Sequence, residues 1–205
     1  MKPMHRLRTL IDSKPLFWAI LSVPAALMIH RYATDPEIWP GDLLHQTGEW
    51  SARLIILALM LTPLSILFRG RAWVQWLVRR RRALGVAGFG YALLHLIFYL
   101  LDMETVGNVL AELGALGIWT GWAAFLLFLP LALTSNDSWM RRLKAGWKQV
   151  QRLAYPAALL TLVHWMFIHD NVVAALANFA PLAALQAWRV VHVARRRTSF
   201  KHQPA

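Results

Sequence analysis

His95 and His164 lie inside long apolar runs, in a chain whose Lys and Arg otherwise mark the ends of such runs. His95 comes 13 residues after Arg82, and His164 comes 12 after Arg152. On helices rising 1.5 Å per residue, both imidazoles then stand roughly 18–20 Å from a basic boundary. An ionisable side chain at such depth is costly and points to function by default. Two neutral imidazoles at one depth, on helices of one direction, are the axial pair that a six-coordinate haem b requires. Each Nε2 takes one face of the iron. The purely structural alternative is that each ring bonds a carbonyl or hydroxyl of a neighbouring helix, and spacing alone leaves both readings open. Seven residues before each histidine, on the same helical face, stand Gly88 and Ala157. Small side chains there leave room for a macrocycle, and Gly85 and Gly90 thin the same helix further. Close helix packing accounts equally well for these glycines.

A second polar group, His45, Glu49 and Arg53, recurs at i, i+4 and i+8 and so forms one helical stripe. An interfacial ion pair is the simple reading. The sharper one sets Arg53 or His45 against haem propionates at the same level, since Arg pairs well with carboxylates. His45 is also a competing axial ligand. His5, His192 and His202 fall near the basic ends of the spans, and His30 and His169 at the opposite surface. His169 is turned about 140° from His164 and does not share its face.

The elements that must carry these residues follow from composition. The 205 residues are 58% hydrophobic and 16% charged, with 11 Trp, no Cys and a net charge of +12. Ordinary soluble domains carry about 25% charged residues. Here the charges are clumped, which excludes a disordered basic tail and argues against a soluble nucleic-acid binder. Without cysteine there are no disulfides, thiolate zinc sites, iron–sulfur clusters or covalently attached haem. A bilayer core needs about 17–25 mainly apolar residues per helix, and six runs qualify: about 15–29, 50–68, 83–101, 113–134, 153–168 and 172–193. The expectation is one all-α domain over 1–205, a six-helix transmembrane bundle. The first run is expected to be a retained helix rather than a cleaved leader, since no clean cleavage pattern follows it. Trp73, Trp76, Trp139 and Trp147 read as an interfacial belt. No internal repeat is evident.

All but two of the 22 Lys and Arg fall in the N-terminal segment, the loops after spans two and four, and the C-terminal end. The opposite loops hold Asp35, Glu37, Asp42, Asp102, Glu104, Glu112 and Asp170, with Arg31 as their one basic residue. The positive-inside rule then places both termini in the cytoplasm and both ligand histidines in the outer half of the bilayer. The Arg79–Arg82 run reads first as that topogenic signal, with a docked flavin phosphate as a weaker alternative.

Several short stretches, in order, carry a family likeness. They are His45-Gln46-Thr47-Gly48, Leu61-Thr62-Pro63-Leu64, Arg81-Arg82-Ala83-Leu84-Gly85, Leu94-His95-Leu96 with Tyr99, Leu133-Thr134-Ser135, then Trp147, Tyr155 and His164. From about residue 15 to 195 the chain resembles the haem-binding membrane subunits of periplasmic protein-methionine-sulfoxide reductase systems, the MsrQ family of the ferric-reductase-like transmembrane superfamily. The resemblance implies a multi-pass b-type cytochrome of the bacterial inner membrane. Such a subunit takes electrons from the quinone pool or a cytoplasmic flavin reductase, is associated with FMN, and serves a periplasmic molybdopterin enzyme that repairs oxidised methionine. It also implies that His95 and His164 are the haem ligands. A further family histidine is replaced here by Gln151, and Arg81 stands where an inner haem would need its second ligand. One haem is therefore expected. Its depth leaves a gap to any cytoplasmic donor that a flavin or quinone nearer the inner face would bridge. Two other functions remain open at this point: a stand-alone ferric or quinone-linked reductase, and a haem-free transporter or assembly factor. The chain itself is expected to be an electron-transfer subunit with no catalytic residue of its own.

Overall fold

A computed structural model describes residues 12–168 and 172–201, the side chains of 197–201 excepted. Lys2, His5, Arg6, Arg8, His169, Asp170 and His202 lie outside the described residues. Every element among those described is helical, in keeping with the all-α expectation. They are α1 (Lys14–Thr34), α2 (Pro40–Leu67), α3 (Ala72–Met103), α4 (Val106–Glu112), α5 (Leu116–Leu133), α6 (Asp137–Leu143), α7 (Ala145–Gln151), α8 (Ala154–Ile168) and α9 (Val172–Lys201). α1, α2, α3 and α5 are long and apolar enough to cross a membrane. Among the described residues α8 spans 15, and α8 and α9 do not reach that measure, so four spans rest on length and composition.

Two helices begin well before their apolar runs. α2 starts at Pro40 rather than near Trp50, because Pro40 sets the first turn and the Asp42 carboxylate accepts the Trp39 N–H at 2.9 Å. The stripe His45–Glu49–Arg53 is therefore helical throughout. α3 starts at Ala72 rather than Ala83, so Arg79–Arg82 lies on a helix and not in a loop. Arginine is a good helix former, and neither Pro nor Gly interrupts residues 72–84. The fourth expected span, 113–134, opens slightly later, at Leu116, after the separate helix α4 at residues 106–112.

α2 is the spine of the fold. It buries residues on nearly all sides, from Leu43 through Ser51, Ile55 and Leu59 to Pro63. One apolar cluster joins it to α1 and α3 through Leu54, Ala58, Leu61, Leu84 and Tyr91. Another joins it to α5, α8 and α9 through Ala52, Ile55, Phe128, Ala157, Trp165 and Phe179. α2 packs closely on α3, and α5 packs closely on α8, while contact between the two pairs is sparse. α9 closes one side against α2 and α8, where Gln186 donates to the Leu59 carbonyl at 3.1 Å. α1 is peripheral and is pinned by one side chain. Tyr91 Oη donates to Leu21 O at 2.8 Å and accepts from Ala25 N at 3.1 Å. It thus stands between the two groups that a regular helix would bond to each other, next to the irregularity caused by Pro24.

Gly88 sets the approach of α3 to α2. A Cβ there would stand 2.8 Å from Ile55 Cγ1, and Ser51 Oγ donates to Gly88 O at 2.9 Å. Gly88→Ala is therefore expected to destabilise the fold by roughly 1–3 kcal/mol. Gly90→Ala, with nothing within 4 Å of its Cβ, is expected to leave stability unchanged or slightly raised. Thermal unfolding of the two variants in one detergent checks the difference.

Candidate functional site

The sparse contact between helix pairs leaves a seam, and His95 and His164 open onto it. His95 descends from α3 and His164 from α8. Their ring centroids stand 5.9 Å apart with planes at 85°, so the equal depth read from the sequence is matched by direct proximity. A cavity of about 100 Å³ adjoins them, walled by Ala92, Leu96, Ile118, Trp122, Phe125 and Phe128. Tyr99 and Trp122 meet edge-on above it, centroids 6.3 Å apart.

Each ring is held by the other helix of its own pair. His95 Nδ1 lies 3.0 Å from Leu44 O and 3.3 Å from Thr47 Oγ1 of α2. His164 Nδ1 lies 2.7 Å from Gly117 O of α5. A carbonyl can only accept, so Nδ1 carries the proton in both rings and Nε2 is the basic nitrogen. One turn beyond each acceptor stands a glycine. A Cβ on Gly48 would meet His95 Nδ1 and Cε1 at 3.3 Å, and one on Gly121 would meet His164 Nδ1 at 2.6 Å. Gly117 is as tightly placed, its Cβ position 2.9 Å from Ile168 Cδ1. Gly117-x-x-x-Gly121 is thus a close-packing motif of α5 on α8. Its spacing was visible in the sequence, and it is the signal that would have found this half of the site.

The donor set fits a haem iron. Two imidazole nitrogens each about 2 Å from a shared metal hold their ring centroids roughly 6 Å apart, and these stand at 5.9 Å. Both Nδ1–H groups are committed to backbone carbonyls, the outer-shell arrangement that orients metal-binding histidines and raises their basicity. The remaining walls are mainly apolar and aromatic, with Ser51 and Thr161 also lining the cavity.

The other sequence candidates sit around this centre rather than in it. Gly88 lies at the α2–α3 contact, and Ala157 is fully buried in the cluster shared with Ala52 and Ile55. The stripe on α2 forms as expected, with Glu49 taking His45 Nε2 at 3.4 Å and Arg53 at 3.0 Å. Arg53 also reaches Asn178 Oδ1 of α9 at 3.4 Å. His192 stacks on Trp188 of the same helix, centroids 4.9 Å apart.

A second, larger cavity of about 1140 Å³ lies beneath, between the same helix pairs. Phe128 borders both cavities, and the stacked Phe89–Phe125 pair (5.5 Å, 25°) completes the partition between them. The lower cavity is apolar near the partition and basic at its mouth, where Arg79–Arg82, Lys148 and Arg152 gather with Asp12 and Asp137. Arg82 bonds Asp137 and holds that exposed carboxyl below the usual carboxylate range, with Arg141 and Lys14 adding to the effect. The α3–α6 link is therefore intact above the ordinary carboxylate pKa and is lost as pH falls through the lowered one. Gln151 and Arg81 line this cavity without offering it ligands. Gln151 Nε2 donates to Thr134 Oγ1 at 3.2 Å and Leu131 O at 3.4 Å, and Arg81 donates to Thr62 Oγ1 at 3.0 Å.

Comparison with known proteins gives the family. Residues 47–162 match the family described as ferric reductase like transmembrane component. A protein of Xanthomonas euvesicatoria is 35% identical over 96% of this chain and 94% of its own length. One of Xanthomonas axonopodis is 40% identical over 89% and 87%, and one of Caulobacter vibrioides 32% over 92% and 90%. All three bear the name protein-methionine-sulfoxide reductase heme-binding subunit MsrQ. No solved structure matches the chain. With likeness of this order along nearly its whole length, the chain belongs to the MsrQ family of ferric-reductase-like transmembrane proteins.

Proposed function

We propose that this chain is a b-type cytochrome of the bacterial inner membrane that holds one haem between His95 and His164 and carries electrons outward. The observation that supports it most is the pair of imidazoles 5.9 Å apart, each with Nδ1 on a carbonyl of the neighbouring helix. Haem supplies there a one-electron carrier that neither imidazole provides alone. The proposal takes α8 and α9 as fifth and sixth spans, with both termini cytoplasmic. That orientation puts the acidic ends Asp35, Asp42, Asp102 and Glu112 outside and the arginine-ringed cavity inside. Arg53 and His45, on the outer side, are the partners proposed for the propionates. Gly88 sets how closely α3 approaches α2 within one pair, and Ala157 how closely α8 approaches α2 across the seam.

The recipient is read as a periplasmic molybdopterin enzyme that reduces methionine sulfoxide in oxidised proteins; the relatives are named only as heme-binding subunits of a protein-methionine-sulfoxide reductase. Electrons enter from the quinone pool or a cytoplasmic flavin reductase. The lower cavity suits a flat aromatic carrier such as FMN or a quinone. Its apolar end reaches the phenylalanine partition, and its basic mouth would neutralise a phosphate. Such a carrier shortens the path between the cytoplasm and a haem in the outer half.

His95→Ala and His164→Ala are each expected to abolish the low-spin visible spectrum of the detergent-purified protein while the chain still inserts. Retention of a normal spectrum in either variant refutes the ligand assignment, and a colourless wild-type protein refutes haem binding altogether. Gly121→Ala, whose Cβ would press on His164 at 2.6 Å, is expected to lose most of the bound haem. Gly48→Ala, at 3.3 Å, is expected to lose less of it. Haem retained per polypeptide in the two variants checks the difference.

A further inference from the structure

The two cradles repeat a pattern. On α2 the acceptor Leu44 is followed at i+3 by Thr47 and at i+4 by Gly48; on α5 the acceptor Gly117 is followed by Thr120 and Gly121. Thr47 Oγ1 donates back to Leu43 O at 2.8 Å and Leu44 O at 3.1 Å. Thr120 Oγ1 donates to Leu116 O at 2.6 Å and Gly117 O at 3.0 Å. Both threonines are fully buried, at 0% and 1% exposure. The stretches Leu43-x-x-x-Thr47-Gly48 and Leu116-x-x-x-Thr120-Gly121 are therefore one device used twice. The glycine bares a helix carbonyl to a histidine, and the threonine hydroxyl touches that same carbonyl.

The geometry points to Thr47 and Thr120 as paired positioning residues that set the basicity of the two imidazoles, and hence the reduction potential of the haem that the proposed function rests on. A carbonyl oxygen has two lone pairs. Gly117 O serves the His164 N–H and takes the longer branch of the single Thr120 hydroxyl proton, whose shorter branch goes to Leu116 O, in addition to its place in the helix ladder. Sharing weakens its pull on the imidazole proton. Without the hydroxyl the Nδ1–H···O bond strengthens, Nε2 becomes a better donor, and the ferric state is favoured. At Thr47 two effects oppose each other. Its hydroxyl draws on the Leu44 carbonyl but also stands 3.3 Å from His95 Nδ1 as a second acceptor.

The test is a spectroelectrochemical titration of the purified full-length holoprotein. Thr120→Val, close in volume, is expected to keep the low-spin spectrum and shift the midpoint potential to more negative values. Thr120→Ser is expected to restore the wild-type potential, and Thr47→Val to shift it less than Thr120→Val. Should Thr120→Val not accumulate, Thr120→Ala removes the same donor and is expected to shift in the same direction. An unchanged potential in the donor-less variant with haem in place overturns the inference while leaving haem binding standing, as does an equal shift in Thr120→Ser. A wild-type protein without haem overturns both.

Discussion

A histidine inside a bilayer persists only if its ring N–H finds an acceptor, yet every backbone carbonyl nearby is already engaged in a helix. A carbonyl at position i is ordinarily shielded by the side chain at i+4, which leans back over it. Glycine at i+4 removes that shield and lets a second donor approach from the flank. Gly48 bares Leu44 O for His95, and Gly121 bares Gly117 O for His164. The rest of the site depends on this interaction. It fixes the tautomer, leaves Nε2 as the basic nitrogen on each ring, and locks each imidazole to a different pair of helices.

The division into pairs then gives the seam its character. α2 with α3 and α5 with α8 are close-packed through small residues, which suits association in lipid, where apolar burial gives little drive. Between the pairs the packing is open. The space is partitioned by Phe89, Phe125 and Phe128 into one chamber against the histidines and another rimmed by arginines. The proposed function would use this order of compartments: a carrier in the arginine-rimmed chamber, the aromatic partition, and a haem beyond it.

Much of this was legible in the sequence, and the rest was hidden for identifiable reasons. The depth of His95 and His164 could be counted from Arg82 and Arg152, and the rings do meet. Helix starts were misplaced because apolar runs mark the membrane and not the helix. α2 and α3 begin about ten residues before the expected runs, α2 in polar sequence and α3 in a stretch interrupted by Arg79–Arg82, both still compatible with helix. The face of Gly88 was readable but not its neighbour: the residue seven before His95 meets Ile55 of α2, a choice made by tertiary packing. Gly117 and Gly121 were readable as a close-contact spacing. The Thr-Gly device was not, because two copies of a six-residue pattern without matching flanks do not register as a repeat until the structure lays them side by side. Gln151 and Arg81 were read as lost ligands from residue type alone; their side chains bond Thr134, Leu131 and Thr62.

The account stands or falls on a single bis-imidazole haem at the seam. Haem per polypeptide, determined by pyridine haemochrome on homogeneous purified protein alongside its low-temperature paramagnetic resonance spectrum, tests that most directly. The expected result is a ratio near one with a single low-spin ferric signal that disappears in the His95→Ala, His164→Ala double variant. A ratio near two, or a low-spin signal that survives the double variant, would contradict it.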